Sequence, residues 1–129
     1  MSIRVVQSGS PRKRGEGLRI GTVRRPPRGV LKKDYAKLDY YDVWLPDLAP
    51  SADLMSQFRS GPSTEVRWKQ FARRYRSEMN APEKSRMLDV LAALSHQTNF
   101  SVGCYCENEQ HCHRSILKKL LQDHGAKIV

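Results

Sequence analysis

The sequence predicts one α/β domain in which helices pack on a small, mostly parallel central sheet, a Rossmann-like three-layer arrangement. Its 129 residues, 39% of them hydrophobic and 28% charged, suit a single soluble domain with one core. Three short segments, residues 3–7, 18–23 and 98–105, have the apolar, β-branched or alternating patterns of strands. Helical patterns lie between the second and third segments and after the third. A strand, a helix and a second strand in this order favour parallel, right-handed βαβ units.

Capping residues and apolar periodicity predict the helices. Ser51 caps a short first helix, Ser63 or Thr64 caps a longer basic one over residues 64–79, and Pro82 opens a third. A fourth helix is expected over residues 112–124, with Gly125 at its end and a last short strand at 127–129. The second helix carries an apolar stripe that we expect to lie in the core: Trp68, Phe71, Ala72, Tyr75 and Met79.

The first two strands are joined by the segment SGSPRKRGEG, residues 8–17, which is rich in glycine, serine and basic residues. This composition predicts a mobile basic loop. The second strand is stopped by Pro26, Pro27 and Gly29, which cannot continue a central ladder. A helical turn within residues 30–38 is expected before the next extended stretch.

The chain is strongly basic, with 23 lysines and arginines against 13 acidic residues and a formal net charge of +10. Such a field favours anionic partners such as nucleic acid, although a basic surface that only aids solubility has the same composition. No run of about 18 apolar residues predicts a membrane span, and the first ten residues lack the apolar stretch of a secretory signal. We expect a cytoplasmic protein without membrane contact, and composition leaves its oligomeric state open.

The stretch GCYCENEQHCHR, residues 103–114, holds all three cysteines and two of the four histidines. It spans the predicted carboxyl end of a strand, a loop and the first turn of the last helix, where ligands bind in open α/β sheets. Alternation places Cys104 and Cys106 on one side of the strand, and Cys112 and His113 face it from the helix. The helix N–H groups favour a thiolate or a bound anion at this point.

Three interpretations of this stretch stay open. A zinc or iron site would use Cys104, Cys106 and Cys112 with either His111 or His113, although this spacing is not one of the common paired ones. A reactive thiol would be Cys112, activated by Arg114 and the helix start, with His113 as the second catalytic candidate. In the third interpretation the cysteines only pack in the core. We expect no tightly bound zinc, because adjacent residues such as Cys112 and His113 seldom converge on one tetrahedron.

Several segments together resemble one known family. Arg19 and Ile20 lead to Arg24 and a P-R-G turn at residues 27–29, and L-A-P-S at 48–51 precedes a short helix. A W-x-x-F-x-x-x-Y helix and the closing C-x-C-E and CHR segments complete the pattern. The residues that match these three motifs are, in order, Trp68, Phe71 and Tyr75; Cys104, Cys106 and Glu107; and Cys112, His113 and Arg114. From Arg4 to about Leu121, the chain resembles the domain of unknown function 488 family, and most of all its short, YeaO-like branch. The resemblance implies a compact α/β domain with a central sheet and no established reaction.

The chain departs from the short branch at one turn. Relatives often have V-D-R-x-W-P-R-G there, whereas this chain has Val23, Arg24, Arg25, Pro26 and Pro27, so the acidic residue and the tryptophan are missing. The CHR segment is more typical of longer members of the family.

These observations favour a site for a phosphate-bearing or other anionic ligand between the P-R-G turn and the start of the last helix. Arginine suits the planar, bidentate capture of phosphate. The predicted ligand-binding residues are Arg24, Arg28, Cys104, Cys106, Glu107, Cys112, His113 and Arg114. A rival hypothesis is a nucleic-acid-binding accessory protein without catalysis, and a third is a metal-binding or thiol-redox domain. The sequence identifies neither a cofactor nor a reaction.

Overall fold

The strands of the protein form a single parallel sheet in its computed structural model, which describes residues 1–62, 64–105 and 112–129. The strands are β1 (Ile3–Gln7), β2 (Leu18–Gly21), β3 (Val43–Trp44) and β4 (Phe100–Cys104). Their order in the sheet is β1-β4-β2-β3, and every neighbouring pair is parallel. Val102 of the central strand β4 lies opposite Val5 of β1 and Ile20 of β2. The prediction that the three segments share one sheet is confirmed.

The described residues form the helices α1 (Ala52–Arg59), α2 (Glu65–Met79), α3 (Pro82–Leu94) and α4 (His113–Asp123). The predicted caps are present at the first two. The Ser51 hydroxyl accepts a hydrogen bond from the Leu54 N–H at 3.2 Å, and the Thr64 hydroxyl accepts one from the Arg67 N–H at 3.2 Å. Each bond satisfies one of the backbone donors that a helix start leaves without a partner.

The last helix ends at a glycine, as predicted. Gly125 has φ of 91°, a left-handed conformation that glycine adopts without steric cost. The Gly125 N–H donates to the Gln122 carbonyl at 3.0 Å and the Ala126 N–H to the Leu121 carbonyl at 2.9 Å, which is the Schellman pattern. The turn returns the chain to β1, where Ile128 forms a single parallel bridge with Ile3.

The helices bury their apolar sides on one face of the sheet. Phe71, Tyr75 and Met79 of α2 are buried in the same core as Phe100 and Val102 of β4. Trp68 and Ala72, the other members of the predicted stripe, are partly buried and pack against this core, so the stripe faces the core as predicted. The fourth helix contacts both β4 and β1, so its first turn lies beside the carboxyl end of the central strand.

The opposite face of the sheet is covered by the segment between β1 and β2. Ser101 of β4 points to this face and donates a hydrogen bond to Glu16 Oε2 at 2.9 Å. Glu16 also accepts from Arg19 Nε at 2.8 Å, and both side chains are almost fully buried. The loop at residues 8–17 is thus anchored at Glu16, and its mobility stays a prediction.

The strands differ from the sequence prediction in several places. The third predicted segment, residues 98–105, forms a strand only over Phe100–Cys104, and the predicted strand at 127–129 is reduced to the single bridge at Ile128. The second strand ends at Gly21 rather than at residue 23, although the Thr22 N–H still donates to the Gly103 carbonyl at 2.9 Å. The strand β3 was not predicted, because a two-residue edge strand has no periodicity to detect. The small single-domain, three-layer α/β fold is confirmed. Within the described ranges, no helix combines the length and apolar composition needed to cross a bilayer.

Candidate functional site

A cleft of about 1090 Å³ opens at the carboxyl end of the parallel strands. The segment that follows β2 and one side of α1 form its walls. The carboxyl end of β4 contributes Cys104 and Tyr105, and the start of α4 contributes His113. Among the described residues that line it, none is Asp or Glu, whereas four are arginines: Arg24, Arg25, Arg28 and Arg59. The position agrees with the general rule that ligands of open α/β sheets bind at the carboxyl ends of the strands.

The four arginines have different roles. Arg24 donates from Nε to the Pro50 carbonyl at 3.1 Å and from Nη2 to the Ala49 carbonyl at 3.1 Å. It therefore holds the turn before α1 against the end of β2. The side chains of Arg25, Arg28 and Arg59 are exposed, and within the described part of the chain no carboxylate forms an ion pair with them.

Two of the predicted site residues, Cys104 and His113, line the cleft together with the arginines. They are 1% and 5% exposed, and Cys112, which is also 1% exposed, lies behind them. One ligand atom from each of these three side chains lies within 4.8 Å of the other two. His113 Nδ1 is 3.9 Å from Cys112 Sγ, and Nε2 is 2.7 Å from the Thr22 carbonyl oxygen. The structure therefore brings two thiols and an imidazole together at the inner end of the cleft.

Comparison with known families identifies the chain. The family model DUF488-N3a, described as the active DUF488-N3 subclade, matches residues 3–125. The chain belongs to the DUF488 family. No curated protein and no solved structure matches it. The match confirms the family resemblance that the sequence motifs indicate.

Two tyrosines of this DUF488 domain donate hydrogen bonds to backbone carbonyls at or near the cleft. Burial raises the pKa of Tyr75 well above its usual value, and the neighbouring Cys112 and Cys104 raise it further. Its hydroxyl donates to the Leu48 carbonyl at 2.5 Å. Burial and the neighbouring Tyr41 also raise the pKa of Tyr105, whose hydroxyl donates to the Arg25 carbonyl at 2.9 Å. Both hydroxyls stay protonated near neutral pH. The Tyr105 hydroxyl holds the backbone of Arg25 in the cleft wall, and the Tyr75 hydroxyl holds the backbone of Leu48 before the turn that leads to α1.

The remaining predicted site residues are placed as follows. Arg28 lines the cleft, whereas Arg114, in the first turn of α4, is 5% exposed and is not among the lining residues. Cys106, Glu107 and His111 lie outside the described residues. Of the two cysteines that the structure describes, Cys104 rather than the predicted reactive thiol Cys112 borders the cleft.

Sequence reasoning missed part of the cleft wall of this DUF488 domain. Arg59 ends a helix that starts at Ser51, and no local pattern connects it to the P-R-G turn. Arg25 was noted only as a departure from the family pattern. Tyr105 is the last residue of a predicted strand, but its hydrogen bond to the Arg25 carbonyl joins residues 80 positions apart. Contacts of this kind depend on the fold, and a single sequence contains no signal for them.

Proposed function

We propose that this DUF488 domain binds a phosphate-bearing ligand in the arginine-lined cleft. The observation that carries the proposal is the presence of Arg25, Arg28 and Arg59 on one cleft whose described lining includes no carboxylate. A guanidinium group offers paired donors that match phosphate oxygens, and it keeps its charge at any physiological pH. Three such groups, with no acidic residue in the described part of the lining, favour a dianionic ligand over a cation or a neutral molecule.

The apolar part of the lining indicates the kind of phosphate. The cleft volume of about 1090 Å³ is at the upper end of the roughly 300–1,000 Å³ typical of small-molecule sites. Met55, Pro26, Pro27 and Tyr40 line it beside the arginines. Inorganic phosphate would fill a small part of this volume, so the ligand class that fits is an organic phosphate with an aromatic or apolar group.

Isothermal titration calorimetry with phenyl phosphate and inorganic phosphate tests the proposal. We expect phenyl phosphate to bind more tightly, because its ring contacts the apolar wall. Replacing both Arg28 and Arg59 by Ala should weaken phenyl phosphate binding at least about tenfold, which corresponds to roughly 1.4 kcal/mol. Both side chains are exposed, so the variant should stay folded.

A matched control removes the same charge elsewhere. Arg73 and Arg86 are exposed residues of α2 and α3 and do not line the cleft. Changing both to Ala lowers the net charge by two, as the cleft variant does, and should leave phenyl phosphate affinity unchanged. Equal weakening in the two variants would mean that the overall field rather than the cleft binds the anion, and the proposal would be wrong.

Nucleic-acid binding without catalysis is the alternative that the net charge of +10 supports. A short DNA duplex is the probe. This alternative predicts a steep loss of affinity with salt and equal effects of the cleft pair and the control pair of arginine substitutions. The cleft proposal predicts instead that the duplex binds only weakly, and that the cleft pair of substitutions weakens phenyl phosphate binding whereas the control pair does not.

The protein is further proposed to work in the cytoplasm and to belong to the short, YeaO-like branch of the family. An odd number of cysteines suits a reducing compartment. The P-R-G turn supports the branch. Localisation of a tagged copy of the full chain by fluorescence microscopy tests the first statement.

A further inference from the structure

The inner end of the cleft has the donor set of a metal site. Cys104 Sγ, Cys112 Sγ and a ring nitrogen of His113 lie within 4.8 Å of one another. Sulfur atoms bound to one zinc ion at about 2.3 Å in a tetrahedron are somewhat less than 4 Å apart, so small side-chain adjustments bring the three atoms to bonding distance. All three side chains are at least 95% buried, which protects metal bonds from competing water.

The hydrogen bond of His113 determines which ring nitrogen can bind. A backbone carbonyl only accepts hydrogen bonds, so the 2.7 Å contact between His113 Nε2 and the Thr22 oxygen requires a proton on Nε2. The lone pair of the neutral ring is then on Nδ1, the atom that is 3.9 Å from Cys112 Sγ. Metal-binding histidines commonly donate their other ring N–H to a carbonyl or a carboxylate in this way.

We propose that Cys104, Cys112 and His113 Nδ1 bind one Zn²⁺ ion. Two thiolates and a neutral imidazole balance the charge of the ion, which removes the cost of burying a lone thiolate. Cys112 is the N-cap residue of α4, and the positive end of an 11-residue helix stabilises its thiolate further.

The ligands available among the described residues leave one tetrahedral position, which we place on the side of the cleft. Cys104 and His113 both line the cleft, so a fourth ligand approaches from that side. Three protein ligands with an open position are typical of catalytic rather than structural zinc. The ion would thus add a Lewis acid to the floor of the arginine-lined cleft.

This inference replaces the sequence-based expectation of no tightly bound zinc. That expectation depended on the adjacency of Cys112 and His113, which rarely allows both to reach one ion. Here Cys112 precedes the helix with an extended backbone, at φ −125° and ψ 146°, and His113 is the first helical residue. Because the backbone conformation changes between Cys112 and His113, both side chains point toward Cys104.

Zinc content and competition titration test the metal site. Full-length protein, reduced and stripped with chelator, should take up one Zn²⁺ per chain. Cys104→Ser, Cys112→Ser and His113→Ala should each lower zinc affinity by more than the 10–100-fold that loss of an outer-shell partner costs. His96→Ala removes an exposed imidazole outside the cluster and is the control that should keep wild-type affinity. An equal loss in Cys106→Ser would show a closed four-ligand site and overturn the open position.

A measurement on the wild-type protein covers the case in which a buried substitution prevents folding. Zinc X-ray absorption of the loaded protein should show two sulfur ligands at about 2.3 Å beside nitrogen or oxygen ligands at about 2.0 Å. Stoichiometric zinc with fewer or more than two sulfur ligands would refute the site, as would the absence of zinc uptake.

The open position has its own test, which does not depend on phosphate binding. Protein loaded with Co²⁺ should show a sulfur-to-cobalt charge-transfer band and the intense visible bands of tetrahedral cobalt. Saturating azide should change the visible bands in the wild type and equally in the Arg73→Ala, Arg86→Ala control variant. A spectrum that saturating azide leaves unchanged would contradict the open position even if phosphate binds in the cleft.

Discussion

Glu16 and Arg19 form an ion pair that solvent does not reach. Arg19 Nε lies 2.8 Å from Glu16 Oε2, and the exposed fractions of the two side chains are 0% and 2%. Arg19 Nη2 adds a second bond to Glu16 Oε1 at 2.9 Å, and Ser101 donates to the same carboxylate. The pair ties the segment before β2 to the central strand on the face of the sheet opposite the helices.

We predict that Glu16→Gln destabilises the protein by about 3–5 kcal/mol. The substitution leaves the Arg19 charge buried without its counter-charge, and breaking a buried pair from one side typically costs this much. The control is Asp39→Asn, which removes the charge from the partly exposed Arg12–Asp39 pair at 3.1 Å. Asp39 has φ of 63°, and Asn tolerates that conformation, so the control should cost less than about 1 kcal/mol. Urea unfolding measures both, and equal costs would contradict the prediction.

The carboxylates on this face predict a loss of stability in acid. Burial alone would raise the pKa of Glu16, but hydrogen bonds from Arg19 and Ser101 outweigh it and lower the pKa. The hydrogen bond from Arg12 likewise lowers the pKa of Asp42. A lowered folded-state pKa means that the stabilisation is complete above the unfolded value of about 4 and is lost as pH falls through the folded value.

Urea unfolding at a series of pH values checks this dependence. The free energy of unfolding should fall between about pH 5 and pH 2, and the fall should be shallower in a variant with Glu16→Gln and Asp42→Asn. An equally steep fall in the variant would mean that other groups cause it.

Arg24 should contribute to the stability of the folded protein as well as to phenyl phosphate binding. Its guanidinium donates to the Ala49 and Pro50 carbonyls, and each such bond from a charged donor contributes about 1.5–3 kcal/mol before allowance for partial exposure. We predict that Arg24→Ala lowers the free energy of unfolding by about 1–2 kcal/mol and weakens phenyl phosphate binding, because α1 and Arg59 lose their support. Arg28→Ala should weaken binding with a stability change within about 0.5 kcal/mol. Urea unfolding and calorimetry on both variants decide it, and an unchanged stability for Arg24→Ala would show that the turn does not need this residue.

The regular part of the fold could be predicted because its signals are local. Ser51 and Thr64 act as caps through their own side chains, and Gly125 ends α4 through its own φ angle. The apolar, β-branched composition of residues 3–7 is sufficient to predict a strand there. Patterns of this kind reflect a residue and its immediate neighbours, so they survive without knowledge of the tertiary structure.

The sequence predicts where the site lies but not all of the residues that form it. The motif at residues 103–114 indicated the strand end, and Arg28, Cys104 and His113 do line the cleft there. The role of Arg24 as a support and the contribution of Arg59 depend on how α1 packs, which no spacing encodes. Arg19, recognised only as a family match, lies in a buried pair on the other face of the sheet.

The last prediction concerns the close approach of Gly21 and Tyr41 beneath the cleft. A Cβ added at Gly21 would lie 2.2 Å from Tyr41 Cδ2, and the Tyr41 ring is 2% exposed and packs with Val23, Cys104 and Cys112. Gly21→Ala should therefore overpack this cluster and destabilise the protein by about 1–3 kcal/mol.

A double-mutant cycle isolates the contact. Tyr41→Leu makes room for the new methyl group, so Gly21→Ala should cost at least about 0.5 kcal/mol less in that background, a coupling typical of residues in contact. Gly125→Ala is the control, because a Cβ there meets no atom within 4 Å and the cost comes only from its φ of 91°. That cost should be the same with and without Tyr41→Leu. Additive effects of Gly21→Ala and Tyr41→Leu would mean that the Tyr41 ring moves aside freely. The cluster of Tyr41 with Val23, Cys104 and Cys112 would then be less tightly packed than the close approach of Gly21 and Tyr41 implies.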